Sequence, residues 1–129
     1  MIDGVEAFYE QIANSMIETI PEEWSTASFQ AIFYPDGSVY EAEYIRKADG
    51  KARGFQPAGS GSRAFRQLRK LFKDSGKPLW GRACLELKPD GTFNMKWDYD
   101  DCDLEGNALF NEDVELQRHE VRRKRLAET

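Results

Sequence analysis

The chain has one histidine, two cysteines and no long apolar run, and each scarcity removes a class of function. His119 stands beside Glu120 and four places before Arg123, a charged helical setting. Nucleophilic catalysis of the Ser/His or Cys/His kind lacks its base, and zinc sites built from several histidines are excluded. Cys84 and Cys102 match no CxxC spacing, which leaves neither a cysteine zinc motif nor a thioredoxin-like pair. Cys84 is expected to point off the core face, and both thiols to stay reduced in a cytoplasmic protein. Asp3, Glu6 and Glu10 interrupt the apolar positions of residues 1–20, so no signal peptide is read there, and nothing spans a membrane. The small-residue stretch Pro57-Ala58-Gly59-Ser60-Gly61-Ser62 leads into Arg63 without the Gly-Lys-Ser/Thr ending of a phosphate-binding loop. It reads as a flexible connector, with Ser62 as the cap of the helix that follows.

What remains is enough for one domain. At 129 residues, with 40% hydrophobic and 12% aromatic content, the chain can bury one core between two packed layers. The expected domain spans 1–129, with a C-terminal end that frays. The net charge of −5 hides a segregation. Residues 1–50 carry ten acids and two bases, 51–88 two acids and ten bases, and 89–129 eleven acids and six bases. Such blocks neutralise one another in the folded chain or steer a charged partner.

Apolar residues at Ile2, Val5, Phe8, Tyr9, Ile12, Met16 and Ile20 recur at helical steps, and Pro21 closes that element, predicting an amphipathic helix over Ile2–Ile20 with Asp3 as its cap. Two alternating runs, Thr26–Tyr34 and Val39–Arg46, flank Pro35-Asp36-Gly37 and predict a hairpin. Glu41 and Glu43 fall on its wet face. Arg53–Gln56 is a short edge strand. A helix over Arg63–Ser75 buries Phe65, Leu68, Leu71 and Phe72 and turns Arg63, Arg66, Arg69, Lys70 and Lys73 outward. A second hairpin joins Trp80–Leu87 to Thr92–Tyr99 through Lys88-Pro89-Asp90-Gly91, a turn that needs a positive φ at glycine. A final helix starts near Asn111, and its arginines gather toward the C-terminal end. The predicted fold is therefore α+β: an antiparallel meander of about five strands, an N-terminal helix, a middle helix between the hairpins and a C-terminal helix packing on the sheet, with the helices on one sheet face.

The chemistry concentrates where the second hairpin ends, at Asp98, Asp100, Asp101, Asp103 and Glu105. Hard cations would suit these oxygens, yet Cys102 and Asp103 occupy the fifth and sixth positions, where a calcium loop needs a ligand and a glycine. No second carboxylate cluster accompanies them to make an acid–base pair across a cleft. No catalytic residue, metal or cofactor is assigned. The remaining use is recognition of a cationic protein surface, with Trp97 and Tyr99 beside the acids and Glu41 and Glu43 as secondary contacts. The alternative is a nucleic-acid-binding module gripping phosphates with the basic helix 63–73.

The order of motifs resembles one known family. Ile20-Pro21-Glu22-Glu23-Trp24, the antiparallel strands, the middle helix, Pro78-Leu79-Trp80, Asp90-Gly91-x-Phe93 and Trp97-x-Tyr99-Asp100-Asp101 together resemble the YezG-like immunity proteins over residues 6 to 103. That resemblance implies a small, non-catalytic cytoplasmic antitoxin. Its partner would be the toxic C-terminal domain of a secreted polymorphic toxin, often a nuclease, with a basic surface. Leu79 intervenes where the family has Trp directly after Pro, the middle helix is more basic than usual, and the tail from Gly106 finds no counterpart. Divergent surfaces and tails are what partner-specific binding produces.

Overall fold

The computed structural model describes residues 4–127. In chain order it forms α1 (Val5–Ile17), β1 (Trp24–Tyr34), β2 (Gly37–Arg46), β3 (Ala52–Gly54), α2 (Gly59–Asp74), β4 (Arg82–Leu87), β5 (Phe93–Asp98) and α3 (Glu112–Ala127). The strands make one antiparallel sheet in the order β3-β2-β1-β4-β5, with β3 at an edge as expected. The α+β architecture read from the sequence is the one observed. The Asp3 cap, the first position of the apolar stripe and the fraying of the final residues lie outside the described residues.

Side-chain alternation divides the sheet into two unlike faces. Ala27, Phe29, Ala31 and Phe33 of β1, with Ala83, Leu85 and Leu87 of β4, meet Ile12 and Met16 of α1 and Phe65 and Leu68 of α2 in an apolar core. Trp80, fully buried before β4, stacks edge-on against Phe33 and Phe72 and tilts against Trp97 at 5.0 Å between ring centroids. Offset and edge geometries suit the ring quadrupoles, so these aromatics lock the second hairpin to α2 and β1. Trp97 thus belongs to the core.

The opposite face bears Thr26, Ser28 and Gln30 of β1, Glu41 and Glu43 of β2, Glu86 of β4 and Asp98 of β5. Here the structure departs from expectation, because α3 packs on this second face and not beside α1 and α2. Arg122 donates to Gln30, Arg123 to Glu43 and Arg125 to Glu86, and the Thr26 hydroxyl donates to the Leu126 carbonyl at 3.2 Å. The physical reason is chemical matching: arginines at helical spacing cover carboxylates at strand spacing. Eight consecutive residues of β1 are therefore buried, although their pattern alternates.

The glycine-rich connector also differs from expectation. Residues 59–62 form the first turn of α2, and the Ser62 hydroxyl donates within that turn to the Gly59 carbonyl, so Ser62 is not the cap. The cause is a close helix crossing. A Cβ on Gly61 would lie 2.7 Å from the Phe29 ring and 2.9 Å from Ser15 Cβ. Glycine is needed for proximity, not for flexibility. At the second hairpin Gly91 does take a positive φ of 91°, and Asp90 accepts from the Thr92 amide and hydroxyl.

Replacing Gly61 by Ala overpacks this crossing and is expected to destabilise the fold by about 1–3 kcal/mol. A lowered urea midpoint at unchanged slope is the expected reading. An unchanged midpoint would mean that α1 and α2 can separate freely.

Candidate functional acidic loop

Beyond β5 the chain enters a loop held from several sides. The Ala108 amide donates to the Phe33 carbonyl at 2.7 Å, the Leu109 amide to the Asp101 carbonyl at 2.7 Å, and the Asp103 amide to the Asn107 carbonyl at 2.8 Å. Gly81 lies under it, where a Cβ would approach Cys102 Sγ to 2.6 Å. Arg69 is the clasp. Its guanidinium donates to the Trp80 carbonyl at 3.1 Å, the Gly106 carbonyl at 2.8 Å and Asn107 Oδ1 at 3.2 Å, while resting 4.8 Å from the Phe33 ring centroid. Burial lowers its pKa from the ordinary arginine value. Lys70 pairs with Asp74. The basic face of residues 63–73 is accordingly interrupted at its centre, leaving Arg63, Arg66 and Lys73 as its exposed cations without a carboxylate partner among the described residues. That arrangement does not favour the nucleic-acid alternative.

The loop's carboxylates divide by role. Asp98 and Asp101 both accept from Arg118, Asp101 at 2.7 Å and from a left-handed backbone of φ 53°, which aspartate tolerates better than most residues. Asp98 also accepts the Asp100 amide at 2.9 Å. Asp103 accepts the amides of Glu105 and Asn107 at 3.0 and 2.9 Å. Those bonds, the Asn107 amide foremost, hold its carboxyl below the usual carboxylate range. Asp100 and Glu105 are exposed and meet no side-chain partner among the described residues. Tyr99 is half exposed and Leu104 wholly so, giving the acidic surface two apolar anchors.

Glu41 and Glu43 lie elsewhere. β1 and β4 separate β2 from β5, so two strands lie between the glutamates and Asp98, on the same sheet face and with α3 over that face. Glu41 is half exposed, with Arg122 at 3.9 Å. Glu43 is 6% exposed beneath α3, paired with Arg123 at 3.0 Å and with His119 at 3.9 Å.

Three arginines organise this half of the molecule: Arg82, which pattern reading passed over, and Arg118 and Arg122, which it placed only in the basic cluster toward the end of the last helix. Arg82, 2% exposed, donates to Glu115 and to the carbonyls of Asp100 and Leu109, tying the loop to α3. Arg118 joins α3 to the acidic loop, and burial followed by the charge of Arg82 lowers its pKa. Arg122 reaches under α3 to Gln30. The available signal was parity: Arg82 occupies a position opposite in face to Ala83, Leu85 and Leu87, and Arg118 and Arg122 share one helical face. The interface they build is incompletely satisfied. Among the described residues, Glu43 Oε1 and the Nε atoms of Arg82, Arg118 and Arg122 are buried and make no hydrogen bond, although each side chain is partnered through its other atoms.

Nothing in this arrangement assembles a nucleophile with a base. Among the described residues no group of three or more histidine, cysteine or acidic side chains is placed to hold a metal ion, and no helix is long and apolar enough to cross a membrane.

Two outcomes follow from these environments. Desolvation pushes the Cys84 thiol up to about 12, so in a Cys102→Ser variant it should react with Ellman's reagent at pH 8 far more slowly than in the urea-unfolded chain. Equal rates would place Cys84 in water. For Asp103 the folded value is depressed, so its contribution is present above the unfolded value of about 4 and is lost as pH falls through the lower, folded value. Asp103→Ala should therefore speed amide exchange at Glu105 and Asn107 at pH 6, and the difference should vanish in strong acid; a difference that persists there would exclude the carboxylate as the cause.

A family model described as immunity protein YezG-like matches residues 59–116. This match starts later than the resemblance in the motif order and continues past Gly106 into α3, so part of the tail does have a counterpart. A search of curated proteins finds no match. Over residues 59–116 the chain is similar to the YezG-like immunity proteins, and that segment contains α2, the second hairpin, the stitched acidic loop and the start of α3.

Proposed function

We propose that the protein is a non-catalytic immunity protein of the cytoplasm that binds and neutralises the toxic domain of a cognate secreted toxin, with a nuclease as the expected class. One observation carries the reading: the immunity-family match covers the segment that builds and clasps the acidic loop. An immunity role follows from that family. The nuclease follows from charge logic, since a phosphate-binding channel is cationic and carboxylates placed where phosphates would lie complement it.

Within this proposal Asp100, Asp101 and Glu105 are the carboxylates that meet the toxin first, flanked by Tyr99 and Leu104 as apolar anchors. Aromatic side chains at the centre of an interface supply much of its affinity, while rim charges supply steering. Asp98 contributes through its shared arginine, since a toxin cation competes with Arg118 for it. Asp103 holds the turn that presents Glu105. Glu41 supplies a further exposed carboxylate on the α3 side of the sheet, and Glu43 becomes available only when α3 moves.

Where the neighbouring gene encodes a secreted toxin, its C-terminal domain is the partner for the test. Co-expression should restore growth, and the purified pair should form a complex whose affinity falls with salt. Asp100→Lys with Asp101→Asn, the second chosen because asparagine tolerates the left-handed backbone, should weaken binding at least about ten-fold and flatten its salt dependence while leaving the thermal midpoint of the free protein nearly unchanged. Full affinity with the original salt dependence would remove the loop from the interface.

A further inference from the structure

The layer between α3 and the sheet differs from the core on the other side. It is built from Arg118 on Asp98, Arg123 on Glu43 and Arg125 on Glu86, with Arg122 on Gln30. Little apolar surface helps: Leu126 is buried, but Val121 is 63% and Leu116 55% exposed. Open clefts of about 510 and 720 Å³ run along the two sides of the helix, flanking the buried contacts of Arg122 and Leu126.

A second observation concerns hydrogen bonding. Among the described residues, four of the five buried side-chain nitrogen or oxygen atoms without a partner lie in this layer, and Glu43, Arg82 and Arg122 are all more than nine-tenths buried. From Arg118 onward α3 carries five bases and one acid, and this basic half rests on a face that bears Glu43, Glu86 and Asp98, with Lys96 also beside Glu86 and the hydrogen bonding incomplete.

The connection allows replacement. The loop is fixed to the sheet through the Ala108 amide on Phe33 and the Leu109 carbonyl on Arg82, and α3 begins afterwards, capped by Asn111, whose Oδ1 accepts the Val114 amide at 3.2 Å. Glu115 is held by Arg82 near the helix start. The turns from Arg118 onward are held by ion pairs, by the Arg122–Gln30 and Thr26–Leu126 hydrogen bonds and by the buried Leu126, whereas the contacts of Arg69 and Arg82 with the acidic loop do not involve those turns.

We propose that the α3-side sheet face is a docking surface for a cationic helix, that α3 is its resident occupant, and that an arginine-rich helical segment of the toxin takes α3's place on Glu43, Glu86 and Asp98. This rests on the immunity reading for the identity of the partner, and on charge complementarity for its chemistry. In the free protein α3 screens these carboxylates from other cationic ligands, because a tethered ligand competes at high effective concentration. A toxin segment prevails by adding the contacts of the outer loop, which α3 only partly uses.

The test needs no toxin. A fluorescent peptide with the sequence of residues 118–127, five bases and one acid, serves as the cationic segment, and its anisotropy is followed at low salt against the full chain. Arg123→Glu with Arg125→Glu repels the resident helix from Glu43 and Glu86. This variant should bind the peptide at least about ten-fold more tightly than the unaltered chain, since the internal competitor is removed. Raising the salt should abolish the gain. Adding Glu43→Gln and Glu86→Gln to the same variant should remove it as well. Near-ultraviolet circular dichroism of the packed tryptophans, unchanged in each variant, reports that the core is intact.

Equal peptide affinity in the variant and the unaltered chain would overturn the proposal, as would affinity indifferent to Glu43 and Glu86. Hydrogen exchange in the unaltered chain gives a measurement free of substitutions: salt should accelerate α3 amides from Arg118 onward and leave β1 amides unaffected. Uniform protection at all salt concentrations would overturn it too. A chain that rescues toxin-expressing cells yet fails these tests keeps the immunity reading and loses the docking face. One that passes them without rescuing cells does the reverse.

Discussion

The burial of β1 on both faces is the constraint on which the rest of the structure depends. A central strand flanked by β2 and β4 satisfies its backbone within the sheet, but its two rows of side chains then need covers of different chemistry. Ala27, Phe29, Ala31 and Phe33 meet the apolar sides of α1 and α2. Thr26 and Gln30 meet α3 through hydrogen bonds. The molecule is thus a three-layer arrangement in which one interface rests on the hydrophobic effect and the other on paired charge.

The first interface was legible in the sequence because it uses a simple code. Strand alternation around two Pro-Asp-Gly turns, helical spacing of Phe8, Ile12 and Met16, and the break at Pro21 each point to one local outcome, and the structure joins them into the expected sheet and helices. The second interface was not legible. Alternating polar residues on Val39–Arg46 read as facing water, and an arginine-rich helix reads as solvated, so each half of the contact disguised the other. Only their proximity, set by the return of the chain after β5, makes Glu43 and Arg123 partners. Gly61 misled for a related reason: a small residue admits both a flexible linker and a tight helix crossing, and contact with Ser15 and Phe29 decides between them.

The acidic end of the second hairpin was visible as composition, and its division of labour was not. Five carboxylates close together in sequence repel one another, and the structure relieves that repulsion by giving Asp98 and Asp101 to one arginine and Asp103 to two backbone amides. Asp100 and Glu105 are left facing solvent. Charge segregation along the chain also acquires a physical sense. The basic middle segment supplies Arg69 and Arg82 to hold the acidic loop from inside, and the basic tail supplies Arg118 to hold it from outside.

The Arg69 clasp has a kinetic consequence. A loop whose backbone is already fixed by Arg69, Phe33 and its own turn has few conformations to surrender when a partner arrives, so association need not wait for the loop to order. Encounter is then governed by long-range attraction between the unpaired carboxylates and an oppositely charged surface, and docking can follow collision directly. Under the proposed function, a partner that docks on this loop meets a surface already in place. The guanidinium behind it, bonded to Trp80, Gly106 and Asn107, is what holds that surface ready.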